Sequence, residues 1–343
     1  MKFKKIAALS TAVIMSASML VGCGTKSTEE NSTASSDIKI GMVADMGGIN
    51  DESFNQSAWE GLQKAEKDFG IEVKVIESKQ ASEYLQNMES LLDEDVDMVI
   101  GVGYAMKEDI QKQAENYPDK QFVLIDETYD TIPENVTPIL FRENEAAYLT
   151  GLIAGKMTKT NNVGFIGGIQ TPVVSRFEYG YKAGVKEAND KTNVNVQYAG
   201  TFSDAAKGKS IANQMYGNGS DIILSAAGGT GLGAIESAKE QNKYAIGVDR
   251  DQSDLAPENV LTSALKKVNV GVYDTVKEFV EGKLKGGQEK VYGLKEDGVG
   301  IPETTKNLVP QDIIDYVNEM IEKIKNDEIK VPSTEDEYNS MQK

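Results

Sequence analysis

Short runs of apolar residues alternate along the chain with longer segments in which apolar and polar residues follow a helical period. The runs occupy residues 38–44, 72–77, 96–103, 121–126, 136–141, 162–168, 194–200, 221–227, 243–249 and 260–265. Between them, for example over residues 53–70, apolar side chains recur three or four positions apart and fall on one helical face. Strands that alternate with helices form parallel sheets covered by helices on both faces, so the pattern predicts an α/β fold.

Ten predicted strands are too many for one compact open sheet in a chain of 343 residues. The first five precede a predicted helix at 143–159, and a second cycle begins at Val163. In each cycle the opening strand ends in a glycine-rich turn, DMGG in one and IGGI in the other. We therefore predict two similar lobes, each with a Rossmann-like parallel sheet. Two later helices, at 268–284 and 310–327, are expected to return one to each lobe, which requires several crossovers.

These elements define the expected domain boundaries. Lobe 1 comprises residues 38–141 and 267–292, and lobe 2 comprises residues 142–266 and 293–330. Residues 331–343 are assigned to a C-terminal tail.

Residues 1–22 carry lysines at their beginning and then an apolar stretch that is short for a stable membrane span, which is the layout of a signal peptide. The small residues before Cys23 resemble a bacterial lipobox, in which the cysteine is acylated with fatty acids such as palmitate. Residues 23–37 have almost no apolar content and are expected to be a flexible tether. We therefore predict a lipoprotein on the extracytoplasmic face of the cell membrane. The alternative is an uncleaved N-terminal anchor with an incidental cysteine.

The composition excludes several classes of function. Lysine and arginine number 36 against 54 aspartates and glutamates, and a net charge of −18 without a long basic run argues against nucleic-acid binding. The absence of histidine excludes a Ser-His-Asp triad and histidine-ligated metal or haem sites. Cys23 is the only cysteine, so the folded body has no disulfide, cysteine metal cluster or thiol nucleophile. No metal and no cofactor is predicted.

Ligands of open parallel sheets collect beyond the carboxyl ends of the strands, and the residues that follow the predicted strands are therefore the candidates. Aspartates stand there at Asp45, Asp126 and Asp249, with Asp251 just behind the last. Carboxylates accept hydrogen bonds and suit a donor-rich ligand, such as one with vicinal hydroxyl groups, whereas they repel phosphate. Each aspartate alone is equally consistent with a helix cap or an Asx turn. Their recurrence at one edge favours a binding site.

Aromatic and basic residues accompany these carboxylates. Phe54 begins a helix behind the first turn, next to Asn55, which is also a candidate ligand-binding residue. Phe202 is expected at the matching place behind a strand of lobe 2, where the two rings could clamp a planar group, and Phe177 is the secondary candidate. Lys266 is placed to donate to ligand hydroxyls and to compensate the carboxylates. The alternative to these binding roles is that the phenylalanines belong to the hydrophobic core and that the lysine is a solvated surface residue.

The segment GGTGLGAIESA, residues 228–238, has two interpretations. Gly229, Gly231 and Ala234 fit the G-x-G-x-x-A pattern after a strand, which would indicate an enzyme with an NAD-type cofactor. The export signal argues against it, because nicotinamide cofactors are not supplied outside the membrane. In the interpretation that we prefer, Gly228 lets the backbone approach a ligand closely, with Gly231 as a secondary candidate.

Several stretches resemble the basic membrane protein family of lipoproteins. They are DMGGINDESFNQSAWEGL, FVLID, GFIGG, the segment from GTFSDAAKGKS to IGVDRDQS, and VLTSALKKVNVGVYD. The resemblance covers nearly the whole exported body. It implies a type I periplasmic-binding-protein fold and the capture of purine nucleosides for an ABC importer.

The resemblance also implies roles for individual residues at the base of the nucleoside. Phe54 and Phe202 would stack on the base, and Asp45 and Asp126 would accept hydrogen bonds from its edge. Met46 stands where many relatives have another small or polar residue, so no side-chain contact is expected from that position.

At the ribose, the resemblance implies that Asp249 and Lys266 hold the hydroxyls while Gly228 contributes its backbone. The sequence thus predicts a monomeric, lipid-anchored protein that delivers adenosine, guanosine or inosine to an ABC permease and catalyses no reaction. The first alternative is a receptor of the same fold for a sugar or a small signalling molecule. The second is a membrane-associated sensor or interaction protein.

Overall fold

The structure is a computed structural model, which describes residues 37–341. The predicted signal peptide, Cys23 and all but the last residue of the predicted tether lie outside these residues. Within them, the strands form two six-stranded sheets, and the predicted α/β fold with two lobes is confirmed. We call the part of the chain around the first sheet lobe 1 and the part around the second sheet lobe 2.

The sheet of lobe 1 is parallel throughout. Its strands are β1 (Lys39–Ala44), β2 (Glu72–Glu77), β3 (Met98–Val102), β4 (Gln121–Ile125), β5 (Val136–Phe141) and β11 (Lys290–Tyr292). Their order is β11-β5-β4-β3-β1-β2, so β1 lies inside the sheet and its carboxyl end is flanked by those of β2 and β3.

The sheet of lobe 2 has the corresponding order, β12-β10-β9-β8-β6-β7. Its strands are β6 (Asn162–Gly167), β7 (Asn193–Tyr198), β8 (Ile222–Ala226), β9 (Tyr244–Asp249), β10 (Val260–Lys266) and β12 (Val299–Gly300). Only the pairing of β12 with β10 is antiparallel among the described strands of this sheet. All ten predicted runs are strands. The edge strands β11 and β12 were not predicted, because three and two residues are too few to show a period.

The inner strands are apolar on both faces because helices cover each sheet on both sides, whereas the edge strands β2 and β7 are partly exposed. In β3, Val99 packs into one apolar cluster, whereas its neighbours Met98 and Ile100 pack into another on the opposite face. All three side chains are at most 1% exposed. Burial of such side chains contributes roughly 1.5–3 kcal/mol each, which is why these runs stand out in the sequence.

Ten α-helices lie among the described residues. They are α1 (Phe54–Phe69), α2 (Tyr84–Asp93), α3 (Lys107–Asn116), α4 (Glu143–Met157), α5 (Pro172–Ala188), α6 (Ala205–Gly217), α7 (Gly229–Gln241), α8 (Val268–Val280), α9 (Gln311–Lys325) and α10 (Glu335–Met341). The last of these falls in the expected C-terminal tail and was not predicted. No helix of residues 37–341 combines the length and the apolar character that a bilayer span requires.

Helix α1 illustrates how the sequence specifies its elements. Ala58, Leu62 and Ala65 form its buried face, and Gly70 ends the helix in the left-handed conformation at φ 67° with its N–H bonded to the carbonyl of Glu66. Glycine reaches this conformation without the steric penalty of a Cβ atom. The helix begins at Phe54, after the turn that follows the carboxyl end of β1.

The chain passes between the two sheets after β5, after β10 and after β11. Helix α8, which follows one of these crossovers, packs against α1, whereas α9 packs against α4. Helix α4 packs closely along α5 and also contacts β10. These crossovers leave the carboxyl ends of both sheets facing a common space.

Candidate ligand-binding site between the lobes

A cavity lies where residues at the carboxyl ends of both sheets meet. Its lining comes from both lobes and consists of Asp45, Gly47, Asp51, Phe54, Asn55, Gly103, Tyr104, Asp126, Thr171, Val173, Val174, Phe177, Phe202, Ala226, Ala227, Gly228, Val248, Asp249 and Lys266. All eight residues predicted from the sequence as primary ligand-binding candidates line this one cavity.

Two of the carboxylates occupy equivalent places in the two lobes. Asp126 follows β4 and Asp249 ends β9, and these strands hold the same position in their sheets. Both residues have a left-handed backbone conformation, with φ of 72° and 64°. Aspartate tolerates this conformation better than most residues with a side chain. The chain therefore turns sharply at each strand end and leaves a carboxylate at the cavity wall.

The turn after β1 is held by hydrogen bonds around Asp45. Its Oδ1 accepts from the amide of Asn55 and from the backbone N–H of Gly47, each at 2.8 Å, and its own N–H donates to Asn55 Oδ1 at 3.1 Å. Burial raises the pKa of Asp45, and the two hydrogen bonds that its carboxylate accepts, from Gly47 and Asn55, oppose the increase. Asn55 lines the cavity, but its side chain is already engaged in fixing this turn.

Asp51 caps the first turn of α1 and was not predicted from the sequence. Its carboxylate accepts from the backbone N–H groups of Ser53 and Asn55 at 2.9 Å and of Gln56 at 3.1 Å. An aspartate that precedes a helix by a few positions is a capping signal, which could have identified this residue. The cap places Phe54 at the helix start, where its half-buried ring lines the cavity.

Lys266 is a buried cation at the centre of the site. Its side chain is 2% exposed, its Nζ donates to Asp126 Oδ2, and it lies 4.5 Å from the centroid of the Phe54 ring. Burial lowers the pKa of Lys266, but the charges of Asp126, Asp249 and Glu143 outweigh burial, so the pKa is raised. The lysine therefore stays protonated in the site.

The second oxygen of the Asp126 carboxylate has no such partner. Oδ1 is buried, and no group of residues 37–341 donates a hydrogen bond to it. A buried acceptor without a partner is costly, so this oxygen is suited to receive a hydrogen bond from a ligand in the cavity.

Asp249 is bound from the opposite lobe. The hydroxyl of Ser53, which is fully buried in lobe 1, donates to Asp249 Oδ2. Burial raises the pKa of Asp249 to about 6, against the opposing effects of Lys266 and Ser53. The sequence offers no signal for the role of Ser53, because its partner is 196 residues away.

A second buried ion pair lies behind Lys266. Arg176 Nε donates to Glu143 Oε1 at 2.7 Å, and the side chain of Glu143 is fully buried. Burial raises the pKa of Glu143, and Arg176 and Lys266 oppose the increase. Neither Glu143 nor Arg176 was predicted, because no distinctive motif marks the start of α4, which is buried on all sides, or the partly exposed edge of α5.

The aromatic rings reach the cavity by different routes. Phe202 follows β7, so it is not the counterpart of Phe54, which follows β1; the expected matching placement is wrong because β6 is the equivalent of β1. The counterpart helix, α5, carries Phe177, which is 3% exposed. A Cβ atom at Gly168 would lie 2.2 Å from the Phe202 ring, so this glycine is what allows that ring to pack over the end of β6.

Two secondary candidates lie outside the cavity lining. Gly231 is within α7, where its N–H bonds to the carbonyl of Gly228 at 2.8 Å. Asp251 accepts hydrogen bonds from the Ser253 N–H at 3.1 Å and from the Thr304 hydroxyl at 2.7 Å. Both residues are thus used in local structure.

Comparison with known proteins identifies related sequences and structures. Residues 38–335 match the family model described as ABC transporter substrate-binding protein PnrA-like. The chain is 39% identical to a CD4+ T-cell-stimulating antigen of Listeria innocua, over 96% of this chain and 99% of that protein. It is 38% identical to the ABC transporter nucleoside-binding protein BmpA of Lactococcus lactis, over 87% and 91% of the two chains.

Among solved structures, an ABC transporter solute-binding protein from Aeropyrum pernix is similar over 89% of this chain and 96% of that one, with a TM-score of 0.81 and 28% identity. The architecture described above is therefore the type I periplasmic-binding-protein fold of such solute-binding proteins.

Proposed function

Because the chain belongs to the PnrA-like family of ABC transporter substrate-binding proteins, we propose that it captures purine nucleosides in the cavity between its lobes. Membership confirms the predicted family and the prediction that the chain is a substrate-binding protein rather than an enzyme. A protein of this family works outside the cytoplasm with a membrane permease as its partner. The proposal concerns the ligand, the residues that hold it and the lipid anchor.

The observation that carries the proposal is the free oxygen of Asp126 beside the Phe54 ring. Asp126 Oδ1 is a buried acceptor that has no partner among the described residues. Lys266 Nζ binds the other oxygen of Asp126 and also lies against the Phe54 ring, so the carboxylate and the ring are close to one another. A purine presents a flat aromatic face and ring or exocyclic N–H donors at its edge. It can therefore stack on Phe54 and donate to Asp126 at the same time.

The ribose would occupy the part of the cavity near Asp249. This carboxylate accepts hydrogen bonds, and Lys266 supplies N–H donors, so the two together match hydroxyl groups, which both donate and accept. Gly228, which lines the cavity with φ of 53°, would contribute its backbone. The second stacking ring would be Phe202 or Phe177, both of which line the cavity.

The charge of the lining favours a nucleoside over a nucleotide. Four carboxylates, those of Asp45, Asp51, Asp126 and Asp249, and one ammonium group, that of Lys266, line the cavity. A phosphate group would be repelled by the excess of negative charge. The ligand would bind both lobes and so stabilise their closed arrangement, which the permease could recognise.

Isothermal titration calorimetry with adenosine, guanosine, inosine, ribose and adenosine monophosphate tests the ligand class. We expect purine nucleosides to bind and both ribose and the monophosphate to bind about 100-fold more weakly or not at all, because they lack the base or add a repelled charge. Ribose that binds as tightly as the nucleosides would indicate a sugar receptor. Nucleosides that give no heat would leave the sensor interpretation.

The same measurement tests the residues. Phe54→Ala and Asp126→Asn are each expected to weaken nucleoside binding about tenfold or more, through loss of stacking and of the charged acceptor. Phe69→Ala is the control for the first, because Phe69 ends the same helix and packs against Tyr273. Asp95→Asn is the control for the second, because Asp95 is also left-handed but pairs with Lys120 at the surface. Equal affinities in the site variants and their controls would refute the site.

A further inference from the structure

Away from the cavity, an arginine joins the two lobes directly. Arg250 follows β9, and its guanidinium lies between two glutamates of lobe 1. One terminal nitrogen is 2.8 Å from Glu52 Oε2 and the other is 2.7 Å from Glu60 Oε1. The partners are 198 and 190 residues apart in the chain, so these contacts hold together parts of the molecule that belong to different sheets.

The lobe 2 side of this contact is held firmly by Gln252. Its side-chain Oε1 accepts a hydrogen bond from the backbone N–H of Val248 at 3.0 Å, and its backbone N–H donates to the Ser263 hydroxyl at 3.1 Å. The side-chain Nε2 of Gln252 donates a hydrogen bond to the backbone carbonyl of Glu52 in lobe 1 at 2.8 Å. Arg250 therefore projects from a segment that is itself anchored to lobe 2 and already touches lobe 1.

The lobe 1 side is organised as well. Gln56 accepts from the backbone N–H of Glu52 and donates to Glu60 Oε1, both at 3.2 Å. The two glutamates are thus placed by one glutamine on the first turn of α1. Neither they nor Arg250 line the cavity, so the contact is separate from the groups proposed to hold the ligand.

We propose that Arg250 is an affinity-determining residue that does not touch the ligand: it binds Glu52 and Glu60 and so stabilises the closed arrangement of the lobes. The inference rests on the proposed function, because the affinity concerned is that for the nucleoside. Opening the lobes would separate Arg250 from both glutamates, so the two ion pairs favour the closed state alone. The apparent affinity of a ligand rises with the fraction of protein that is competent to bind it.

The contact also positions a residue of the site. Asp249 is next to Arg250 in the sequence, and Ser53 is next to Glu52. The carboxylate of Asp249 accepts a hydrogen bond from the hydroxyl of Ser53. The ion pair between Arg250 and Glu52 thus helps to keep Ser53 and Asp249, which belong to opposite lobes, within hydrogen-bonding distance. Loss of the guanidinium is therefore expected to act on binding through the fraction of closed protein and through the placement of Asp249.

The test compares Arg250→Ala with Lys209→Ala by nucleoside titration. Lys209 also bridges two glutamates, Glu236 and Glu240, at 2.9 Å each, and is exposed to a similar extent, but all its partners lie in lobe 2. We expect Arg250→Ala to raise Kd about three- to tenfold, mainly through faster dissociation, while Lys209→Ala leaves Kd unchanged. An unchanged Kd in Arg250→Ala at low salt would overturn the inference.

Two further measurements separate this role from a merely structural one. Arg250→Lys, which can reach only one glutamate well, is expected to give an intermediate Kd. Raising the salt concentration from about 0.05 M to about 0.5 M is expected to shrink the difference between wild type and Arg250→Ala, since partly exposed ion pairs are screened. A difference that does not respond to salt would contradict an electrostatic contact between the lobes.

A measurement without ligand distinguishes failure of this inference from failure of the proposed function. Amide hydrogen exchange of residues 103–106 and 171–174, which stand at the cavity in opposite lobes, is expected to be faster in Arg250→Ala than in wild type or Lys209→Ala. If nucleosides do not bind at all, the proposed function fails, yet this difference still supports the contact. Equal exchange in the three proteins would overturn the inference.

Discussion

Asp249 shows how a single residue in this cavity depends on its surroundings. Burial raises its pKa from 3.8 to about 6, although Lys266 and Ser53 act in the opposite direction. A carboxyl group with a higher pKa in the folded state contributes stability that is fully present below about pH 4 and is lost as the pH rises through about 6. Ionised Asp249 is therefore a cost that the fold bears at neutral pH.

Asp249→Asn is expected to remove this pH-dependent loss. Between about pH 4 and pH 7.5 the free energy of unfolding of the wild type should fall by roughly 1–3 kcal/mol more than that of the variant, because the amide does not titrate. Urea unfolding at a series of pH values measures the difference.

Asp297→Asn is the matched control for this prediction. Asp297 is also left-handed, but its side chain is 89% exposed and pairs with Lys267. Its substitution should leave the pH dependence of stability as in the wild type. Parallel pH profiles of wild type and Asp249→Asn would show that burial of this carboxylate is not coupled to folding.

At this scale the sequence identified the chemistry but not the contacts. Aspartates after three strands and a phenylalanine at a helix start are visible as residue types at predicted strand ends. The hydrogen bond from Ser53 to Asp249 and the pairing of Lys266 with Asp126 join residues 196 and 140 positions apart. Such partners are selected by packing of the lobes, and no local pattern encodes them.

At the scale of elements, close packing of α4 on α5 supports one wall of the cavity. Cβ atoms at Gly151 and Gly184 would lie 2.3 Å and 2.0 Å from the backbone oxygens of Tyr181 and Tyr148, so the two helices touch backbone to backbone. Helix α5 presents Phe177 to the cavity from this position. The glycines thus allow the close contact of the two helices, one of which carries that ring.

Gly184→Ala is expected to destabilise the protein by about 1–3 kcal/mol, because the added methyl group must push the helices apart. It should also weaken nucleoside binding, since α5 moves with its ring. Gly217→Ala is the control: Gly217 ends α6 with nothing within 4 Å of its Cβ position. That substitution should be neutral or stabilising by up to about 1 kcal/mol. Urea unfolding that ranks the two variants equally would contradict the packing argument.

Element prediction succeeded where burial leaves a period and failed where it does not. The ten predicted strands are long enough to show either a continuous apolar run or, as in β2 and β7, an alternation of apolar and polar residues, whereas β11 and β12 are short edge strands. The placement of Phe202 depended on knowing that β6, and not β7, is the equivalent of β1. That equivalence follows from strand order, which is a tertiary property.

At the scale of the whole molecule, we propose that Cys23 carries the lipid that keeps the protein at the membrane. Two or three fatty-acid chains hold a protein at a bilayer stably, because each buried CH2 contributes about 0.8 kcal/mol. Cells grown with an alkyne analogue of palmitate are expected to label the wild type and the control Ser27→Ala, but not Cys23→Ser. Absence of label in the wild type would favour an uncleaved, unlipidated anchor.

The sequence by itself determined the α/β class, the division into two lobes, the family and the types of side chain available to a ligand. These properties depend on local periodicity and on residues at strand ends, which neighbouring positions reveal. Only the tertiary structure decided which carboxylates meet, which aromatic rings reach the cavity, and that Arg250 joins the lobes. Those facts depend on how the two lobes come together, since residues almost 200 positions apart become partners through shape and charge in space and not through any local pattern.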